Sequence, residues 1–258
     1  VIELFSGVGA QRMALKRLEK KNPDLHFEFV AQCEIDKHAI NSYNAIHGET
    51  PNLGDITKVD TLPYCDILTY SFPCQDLSQA GNKKGMERES NTRSALVWEV
   101  TRLLKSSEHK PEWLLMENVP AVTYKTNIAV FNELINELTS IGYTSKYKII
   151  NATEFDVAQN RKRCFMVSHY KGGVPEFPVG PGLTHKLKDY LEKDVDPKYY
   201  LSKERLKGLI VSTQRERERG NGFGFETTDP SDKAKAITTR EGGRKYNTFI
   251  NEDQSDRE

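Results

Sequence analysis

The sequence predicts an α/β protein built on a mostly parallel, doubly wound sheet, with a smaller irregular region behind it. Three observations predict it. Short apolar runs alternate with helical patterns from Val1 to Gly142, the signature of strands joined by crossover helices. The first apolar run gives way to a glycine turn that opens a helix, as βα units do. After Tyr170 the alternation stops, and glycine, proline and polar residues take over.

In order, "VIELF" reads as a strand and "GVGAQRMALKRLEKK" as a turn entering a helix. Met13, Leu15 and Leu18 give that helix an apolar stripe. Lys16, Arg17, Lys20 and Lys21 lie toward its C-terminal end, where the dipole favours cations. "FEFVAQCEI" is a second strand, and "DKHAINSYNAIHG" a helix with Asp36 as N-cap and Gly48 as stop. "CDILTYSF" is the third strand, "ALVWEVTRLLKS" a helix, "EWLLMENV" the fourth strand, and "IAVFNELINELTSIG" a helix closed by Gly142. "YKIINATEF" and "RCFMVSHY" read as two closing strands that form a hairpin, without a clear helix between them. "KGGVPEFPVGPG" has the composition of a linker. Beyond it there is little periodicity, and Lys and Arg outnumber Asp and Glu from Lys203 to Lys245. The expected division is one domain over 1–170, a linker or hinge over 171–202, and a second region over 203–258.

Hydrophobic residues make up 37% of the 258 and charged residues 29%, enough to bury a core and keep a wetted surface. The formal net charge is zero, which neither demands nor excludes a nucleic-acid partner. Cys33, Cys65, Cys74 and Cys164 form no CxxC pair and have no zinc spacing, so they read as free thiols in a reducing cytosol. There is no signal peptide and no apolar run of about 18 residues, so no membrane span is expected. The chain opens in a strand at Val1 without an initiator methionine and ends in polar "NEDQSDRE"; residues before and after it are expected to be missing.

Two groups of residues carry chemistry. At one end stands "FSGVG", Phe5 to Gly9, whose glycines permit positive φ and close approach of a ligand. Glu34 ends the second strand, placed for ribose hydroxyls, and Asp55 in "GDI" for an adenine amino group. The residues alone fit two readings: a nucleoside-type cofactor, or a tight turn with Glu34 and Asp55 as helix caps. At the other end stands Cys74 in "SFPCQDLS", just past the third strand. It is either a nucleophilic thiolate facing the same crevice or a buried packing thiol. Glu117, in "ENV" at the end of the fourth strand, is either a partly desolvated proton donor or an ordinary helix-start acid. "QNRKR", Gln159 to Arg163, is either a solvated hairpin tip or a place where Arg161 and Arg163 point to one side and bind a carboxylate or a base carbonyl.

Taken together, "FSGVGAQRMAL", "SFPCQDLS", "ENV" and "QNRKRCF" resemble four motifs of the DNA (cytosine-5) methyltransferases of the bacterial restriction-modification type, over Val1 to about Tyr170. "LKDYLEKDVDPKYYLS" resembles the segment that leads into that family's target-recognition domain. The resemblance implies a Rossmann-like catalytic and cofactor domain at 1–170 and a partial target-recognition region at 203–258. It implies S-adenosylmethionine as cofactor, S-adenosylhomocysteine as product and double-stranded DNA as partner, with no metal and no membrane. It also implies a cytoplasmic setting, bacterial or phage-encoded. The reaction implied is methyl transfer to carbon-5 of a flipped-out cytosine at a specific sequence.

By the same resemblance, Cys74 adds to cytosine carbon-6, and Glu117 holds and protonates ring nitrogen 3. Arg163 bonds the cytosine carbonyl and holds Glu117, with Arg161 in support. Phe5, Gly7, Gly9, Glu34, Ile35, Asp55, Ile56, Pro73 and Leu96 line the cofactor site. "QAGNKKGMERESNTRSA" is the loop that closes over DNA. Arg215, Arg217 and Arg219, interleaved with Glu216 and Glu218, read either as phosphate contacts or as a solvated charged helix.

The family's late arginine–glutamate motif and its glycine–asparagine motif are not found. The expectation is that the missing part lies in residues outside this chain or on a second subunit, or that the chain is shortened. The alternatives to a DNA enzyme are a cytosine-5 methyltransferase of the same fold acting on transfer RNA, and a DNA-binding homologue inactive without those motifs. A dinucleotide oxidoreductase shares the fold but has no need of "PCQ" with "ENV". A Cys-His hydrolase lacks a histidine at a matching strand end.

Overall fold

The computed structural model describes residues 1–74, 77, 85–88, 90, 92–220, 225, 227–236 and 249–250. In chain order the elements are β1 (Ile2–Leu4), α1 (Ala10–Lys21), β2 (Ala31–Cys33), α2 (Lys37–His47), β3 (Ile67–Tyr70), α3 (Val97–Ser106), β4 (Trp113–Asn118), α4 (Ile128–Ile141), β5 (Tyr143–Asn151), β6 (Gln159–Asn160), β7 (Lys162–Tyr170), α5 (Lys203–Glu218), β8 (Thr227–Thr228), β9 (Ala234–Lys235) and β10 (Phe249–Ile250). They fall into two compact units, 1–150 with 163–177, and 151–162 with 178–258.

The first unit holds a six-stranded sheet in the order β2-β1-β3-β4-β7-β5. β1 pairs in parallel with β2 and β3, and β3 with β4, while β7 runs antiparallel to β4. β2 lies on one side of β1 and β3 on the other, so the chain reverses its direction of travel across the sheet at β1. In open α/β sheets that switch point opens a crevice at the carboxyl ends of the flanking strands. Both the glycine turn after β1 and the Cys74 loop after β3 leave the sheet at that edge.

The helices follow their apolar spacing. α4 buries Phe131, Leu134 and Leu138, and α3 buries Val97, Val100, Leu103 and Leu104 against Leu68, Leu114, Met116 and Met166 of the strands. Asp36 caps α2 as expected, accepting from the His38 and Ala39 amides at 2.8 and 3.0 Å, and Gly48 ends it.

Three elements differ from the sequence expectation. The second strand is only Ala31–Cys33. Ahead of it, the Phe27 carbonyl accepts from Lys16 Nζ at 2.9 Å and the Phe27 amide donates to the Glu19 carboxylate, so its backbone serves α1 side chains rather than the ladder. The "ATEF" end of the fifth strand is a short 3-10 helix, Ala152–Phe155. Glu154 Oε1 accepts the Asn151 amide at 2.8 Å, and Asp156 at φ 61° ends the turn, a conformation Asp tolerates better than most residues. Third, the stretch expected to be irregular holds α5. Ser202 Oγ caps it by accepting the Arg205 amide, and Leu209 and Thr213, one turn apart, are buried. Arg215, Glu216, Arg217 and Glu218 lie in this helix.

The backbone also divides the chain at points other than the expected 1–170, 171–202 and 203–258. β6 pairs with β9 through Gln159–Ala234 and Asn160–Lys235, which ties 151–162 to the later residues. Part of the expected linker is hydrogen-bonded to residues 230–232: the Leu187 and Lys188 amides donate to the Asp232 and Pro230 carbonyls at 2.9 and 2.8 Å. Residues 79–84, 89 and 91 of the expected closing loop, and 237–248 of the expected target-recognition region, lie outside the described residues.

Candidate functional site

The turn after β1 is wound by positive φ at Phe5 (55°), Gly7 (53°) and Gly9 (78°). The two glycines do different jobs. No atom lies within 4 Å of where a Cβ on Gly7 would sit, so the backbone there borders open space. A Cβ on Gly9 would come within 2.4 Å of His47 Nε2 and 2.8 Å of Tyr43 Cε2, so Gly9 is needed for α1 to pack on α2. The change Gly9→Ala is expected to destabilise the protein by about 2 kcal/mol or more, from left-handed strain plus overpacking. Thermal denaturation checks this; an unshifted melting curve would show that His47 yields freely.

Glu34 binds that turn. Its Oε2 accepts the Gly7 amide at 3.0 Å, and its Oε1 accepts the Ile35 and Asp36 amides at 2.8 and 2.9 Å. A carboxylate has about four acceptor positions, so capacity remains for a ligand hydroxyl. Asn52, not singled out by sequence reasoning, joins Glu34 to the next loop. Its Oδ1 accepts from the amides of Glu34 and Gly54, and its Nδ2 donates to the Glu34 carbonyl. Asp55 caps the 3-10 helix Ile56–Lys58. Its carboxyl is held below the usual range, first by the Thr57 hydroxyl and then by the Thr57 amide. The cap reading of Asp55 is thus realised, and its partly exposed carboxylate stands beside Gly54, whose Cβ position is also open. Ile56 turns its side chain into the core, Phe5 and Leu96 pack half-buried against that core, and Ile35 is 61% exposed.

A third acid, Glu3, was not legible as anything but a strand residue. It is fully buried; its Oε1 accepts the Arg12 amide in the first turn of α1 at 3.0 Å, and its Oε2 accepts the Tyr43 hydroxyl at 2.5 Å. Burial pushes its carboxyl up. α1 has no side-chain cap and no acid in its own first turn, so Glu3 supplies the negative group there. A pyrophosphate at this helix end would meet a carboxyl group instead of free amides. Acceptors at Glu34 and Asp55, with open space at Gly7 and Gly54, fit a nucleoside with hydroxyls, amines and positive charge better than a dinucleotide.

At the reactive end, Phe72 is buried, and Pro73 and Cys74 are half-buried. Cys33, Cys65 and Cys164 are all buried. The Cys74 loop is tied to the end of β4 by Asn118 Nδ2, which donates to the Phe72 carbonyl at 3.0 Å. Beside Asn118, on the other face of β4, stands Glu117. In the antiparallel β4–β7 pair Glu117 lies opposite Phe165, so Arg163 is its diagonal neighbour on the same face. Arg163 Nε donates to Glu117 Oε1 at 2.8 Å, and the two side chains are 21% and 25% exposed. Arg161 belongs to the second unit. Its amide donates to Asn151 Oδ1 at 3.0 Å, and its carbonyl accepts the Ala152 amide.

The structure therefore brings the Cys74 loop, Glu117 and Arg163 to one edge of one sheet, beside the Glu34-bound turn. Among the described residues there is no metal-binding cluster of His, Cys, Asp and Glu, and no helix is long and apolar enough to cross a membrane. The chain is 37% identical to the Type II methyltransferase M.DsaV of Dactylococcopsis salina over 230 residues, covering 87% of this chain and 62% of that protein. It is 32% identical to the Type II methyltransferase M2.ScrFI of Lactococcus lactis subsp. cremoris over 258 residues, covering 78% and 69%. The chain thus spans roughly two thirds of the length of these curated relatives. Its fold is similar to that of the Entamoeba histolytica methyltransferase EhMeth, with a TM-score of 0.72 at 20% identity over 93% of this chain and 71% of that one. The family model for C-5 cytosine-specific DNA methylases matches residues 1–256, past the Tyr170 limit of the sequence resemblance, and the chain belongs to that family.

Proposed function

We propose that this chain is the catalytic part of an enzyme that methylates carbon-5 of a cytosine in duplex DNA at a specific sequence. The observation that carries the reading is the pairing of Glu117 with Arg163 at the sheet edge where Asn118 holds the Cys74 loop. A base stacked in a duplex cannot reach such an edge, so it is flipped out to enter. The Cys74 thiolate adds to carbon-6 while Glu117, oriented by Arg163, gives a proton to ring nitrogen 3. The carbon–carbon π pair is thereby shifted onto carbon-5, which becomes nucleophilic. S-adenosylmethionine, when bound, supplies an electrophilic sulfonium methyl group there and leaves as S-adenosylhomocysteine. A base then takes the carbon-5 proton, the carbon-5–carbon-6 double bond re-forms as the Cys74 thiolate is expelled, and the proton on ring nitrogen 3 returns to Glu117. Phe5, Gly7, Gly9, Glu34, Ile35, Asp55, Ile56, Pro73 and Leu96 surround the cofactor, several of them through backbone alone. The cytoplasm supplies both the DNA and the reducing conditions that a working thiolate needs.

The test is to incubate the chain with labelled S-adenosylmethionine and either mixed-sequence duplex DNA or transfer RNA, and to map the label. Methyl groups on cytosine carbon-5 at a recurring DNA sequence are expected. Label in transfer RNA alone would favour the RNA enzyme, and no label in either would overturn both. For the cofactor, Glu34→Ala is expected to weaken S-adenosylhomocysteine binding by about 1–3 kcal/mol, the scale for hydrogen bonds to a charged group. Titration calorimetry reads it directly, and wild-type affinity in the variant would remove Glu34 from the site.

A further inference from the structure

Two buried polar side chains grip consecutive carbonyls immediately ahead of Cys74. Asn118, 3% exposed at the end of β4, donates from Nδ2 to the Phe72 carbonyl at 3.0 Å. Its Oδ1 accepts the Val119 amide at 2.8 Å, which fixes which way the amide faces. Ser94, fully buried, donates from Oγ to the Pro73 carbonyl at 2.7 Å. Ser94 sits in the 3-10 helix Arg93–Leu96, capped by Thr92. Thr92 Oγ1 accepts the Ala95 amide at 3.2 Å and donates to the Gly85 carbonyl at 3.1 Å. The clamp is thus anchored to the sheet through Asn118 and to the start of α3 through Ser94.

Between these bonds little freedom remains. The Phe72 side chain is buried, the ring of Pro73 sets its own φ, and both carbonyls are fixed. The direction in which the chain enters Cys74 is therefore determined from outside the loop. Satisfying two buried carbonyls needs only some donor; placing a thiol over one face of a base needs donors in fixed positions.

We propose that Asn118 and Ser94 are positioning residues for Cys74, holding its backbone so that Sγ meets substrate carbon-6 along the attack direction. The proposal rests on the reading of Cys74 as nucleophile. Misplacement of a reacting atom by about 1 Å costs on the order of 100-fold in rate. Loss of the clamp therefore lowers the rate of adduct formation, while cofactor binding and the intrinsic reactivity of the thiol stay as they were.

The experiment uses the full chain as Ser94→Ala, Asn118→Ala and the double variant. Asn118→Asp is added because it keeps the size and the Oδ1 acceptor but loses the amide donor. Four readouts are taken: the rate of covalent trapping by a duplex carrying 5-fluorocytosine with S-adenosylmethionine, KM for that cofactor, the rate of Cys74 alkylation by iodoacetamide mapped by mass spectrometry, and the melting temperature. The expected result is a fall in trapping of about 10-fold for each single variant and about 100-fold for the double, with KM and alkylation within about 2-fold of wild type. Trapping within about 2-fold of wild type while the melting temperature falls would reduce both residues to satisfying buried carbonyls and overturn the proposal. Alkylation falling in step with trapping would overturn it too, by showing that thiol reactivity and not orientation had changed. Absence of an adduct in the wild type would remove the reading of Cys74, and the clamp's role with it.

Discussion

Replacing Cys74 with serine is expected to abolish covalent trapping by a 5-fluorocytosine duplex and to lower methyl transfer by at least about 10³-fold, the scale for losing a covalent nucleophile. Fluorine at carbon-5 cannot leave as a proton does, so the adduct accumulates only where a nucleophile has added to carbon-6. A serine hydroxyl is not ionised at neutral pH and does not add. No other thiol is placed to substitute. Burial pushes the thiols of Cys33 and Cys164 up to about 12 and that of Cys65 up to about 11, so all three stay protonated and enclosed. Cys74 alone among the four is half-buried. The change is close to isosteric, and Asn118 and Ser94 hold the loop through the Phe72 and Pro73 carbonyls. Stability is therefore expected to stay within about 0.5 kcal/mol, as for substitutions outside packed features. Denaturing gels and peptide mapping of the trapped species check the assignment. An adduct that persists in Cys74→Ser, or that maps to another cysteine in the wild type, would sink it.

Much of this site was legible because its residues sit at punctuation marks of the fold. A proline after an apolar strand, an acid at the end of another strand and glycines between strand and helix are local signals, and the parallel sheet carries all of them to one edge. The antiparallel entry of β7 beside β4 then decides between the two readings of "QNRKR" for Arg163, which reaches Glu117 from the strand rather than resting at a solvated tip. What stayed hidden depends on contacts distant in sequence. Glu3 reads as an ill-placed charge in a strand until Arg12 and Tyr43 close over it. Asn52 looks like a loop residue until it bridges Glu34 and Gly54. Ser94 and Asn118 act on the backbone of the Cys74 loop through side chains 24 or more residues from Tyr70, where that loop leaves β3. Of the α5 helix only the charged end, Arg215 to Glu218, was open to a helical reading, because its charged residues mask the short apolar stripe that Leu209 anchors.

Glu117→Gln is expected to lower methyl transfer by about 10²–10⁴-fold, the range for removing a general acid, while leaving the fold in place. The amide keeps the shape of the carboxyl and one oxygen to accept from Arg163, but it has no acidic proton to give to ring nitrogen 3. Without that proton, negative charge builds on the ring as the thiolate adds, and the adduct is disfavoured. The stability cost is small because both partners of the ion pair are about a quarter exposed, and pairs reached by solvent contribute about 1 kcal/mol or less. Arg163→Lys should fall less in rate, since a point charge replaces a planar fork and holds the carboxyl loosely instead of removing its proton. If Arg163 acts through Glu117, the two effects do not add, and Glu117→Gln with Arg163→Lys should be close to Glu117→Gln alone. Single-turnover methyl transfer, with thermal melting beside it, measures both. A Glu117→Gln rate within about 3-fold of wild type would be too small for a general acid and would leave the carboxylate as a structural partner of Arg163. Full additivity in the double variant would place Arg163 in contact with the base on its own account.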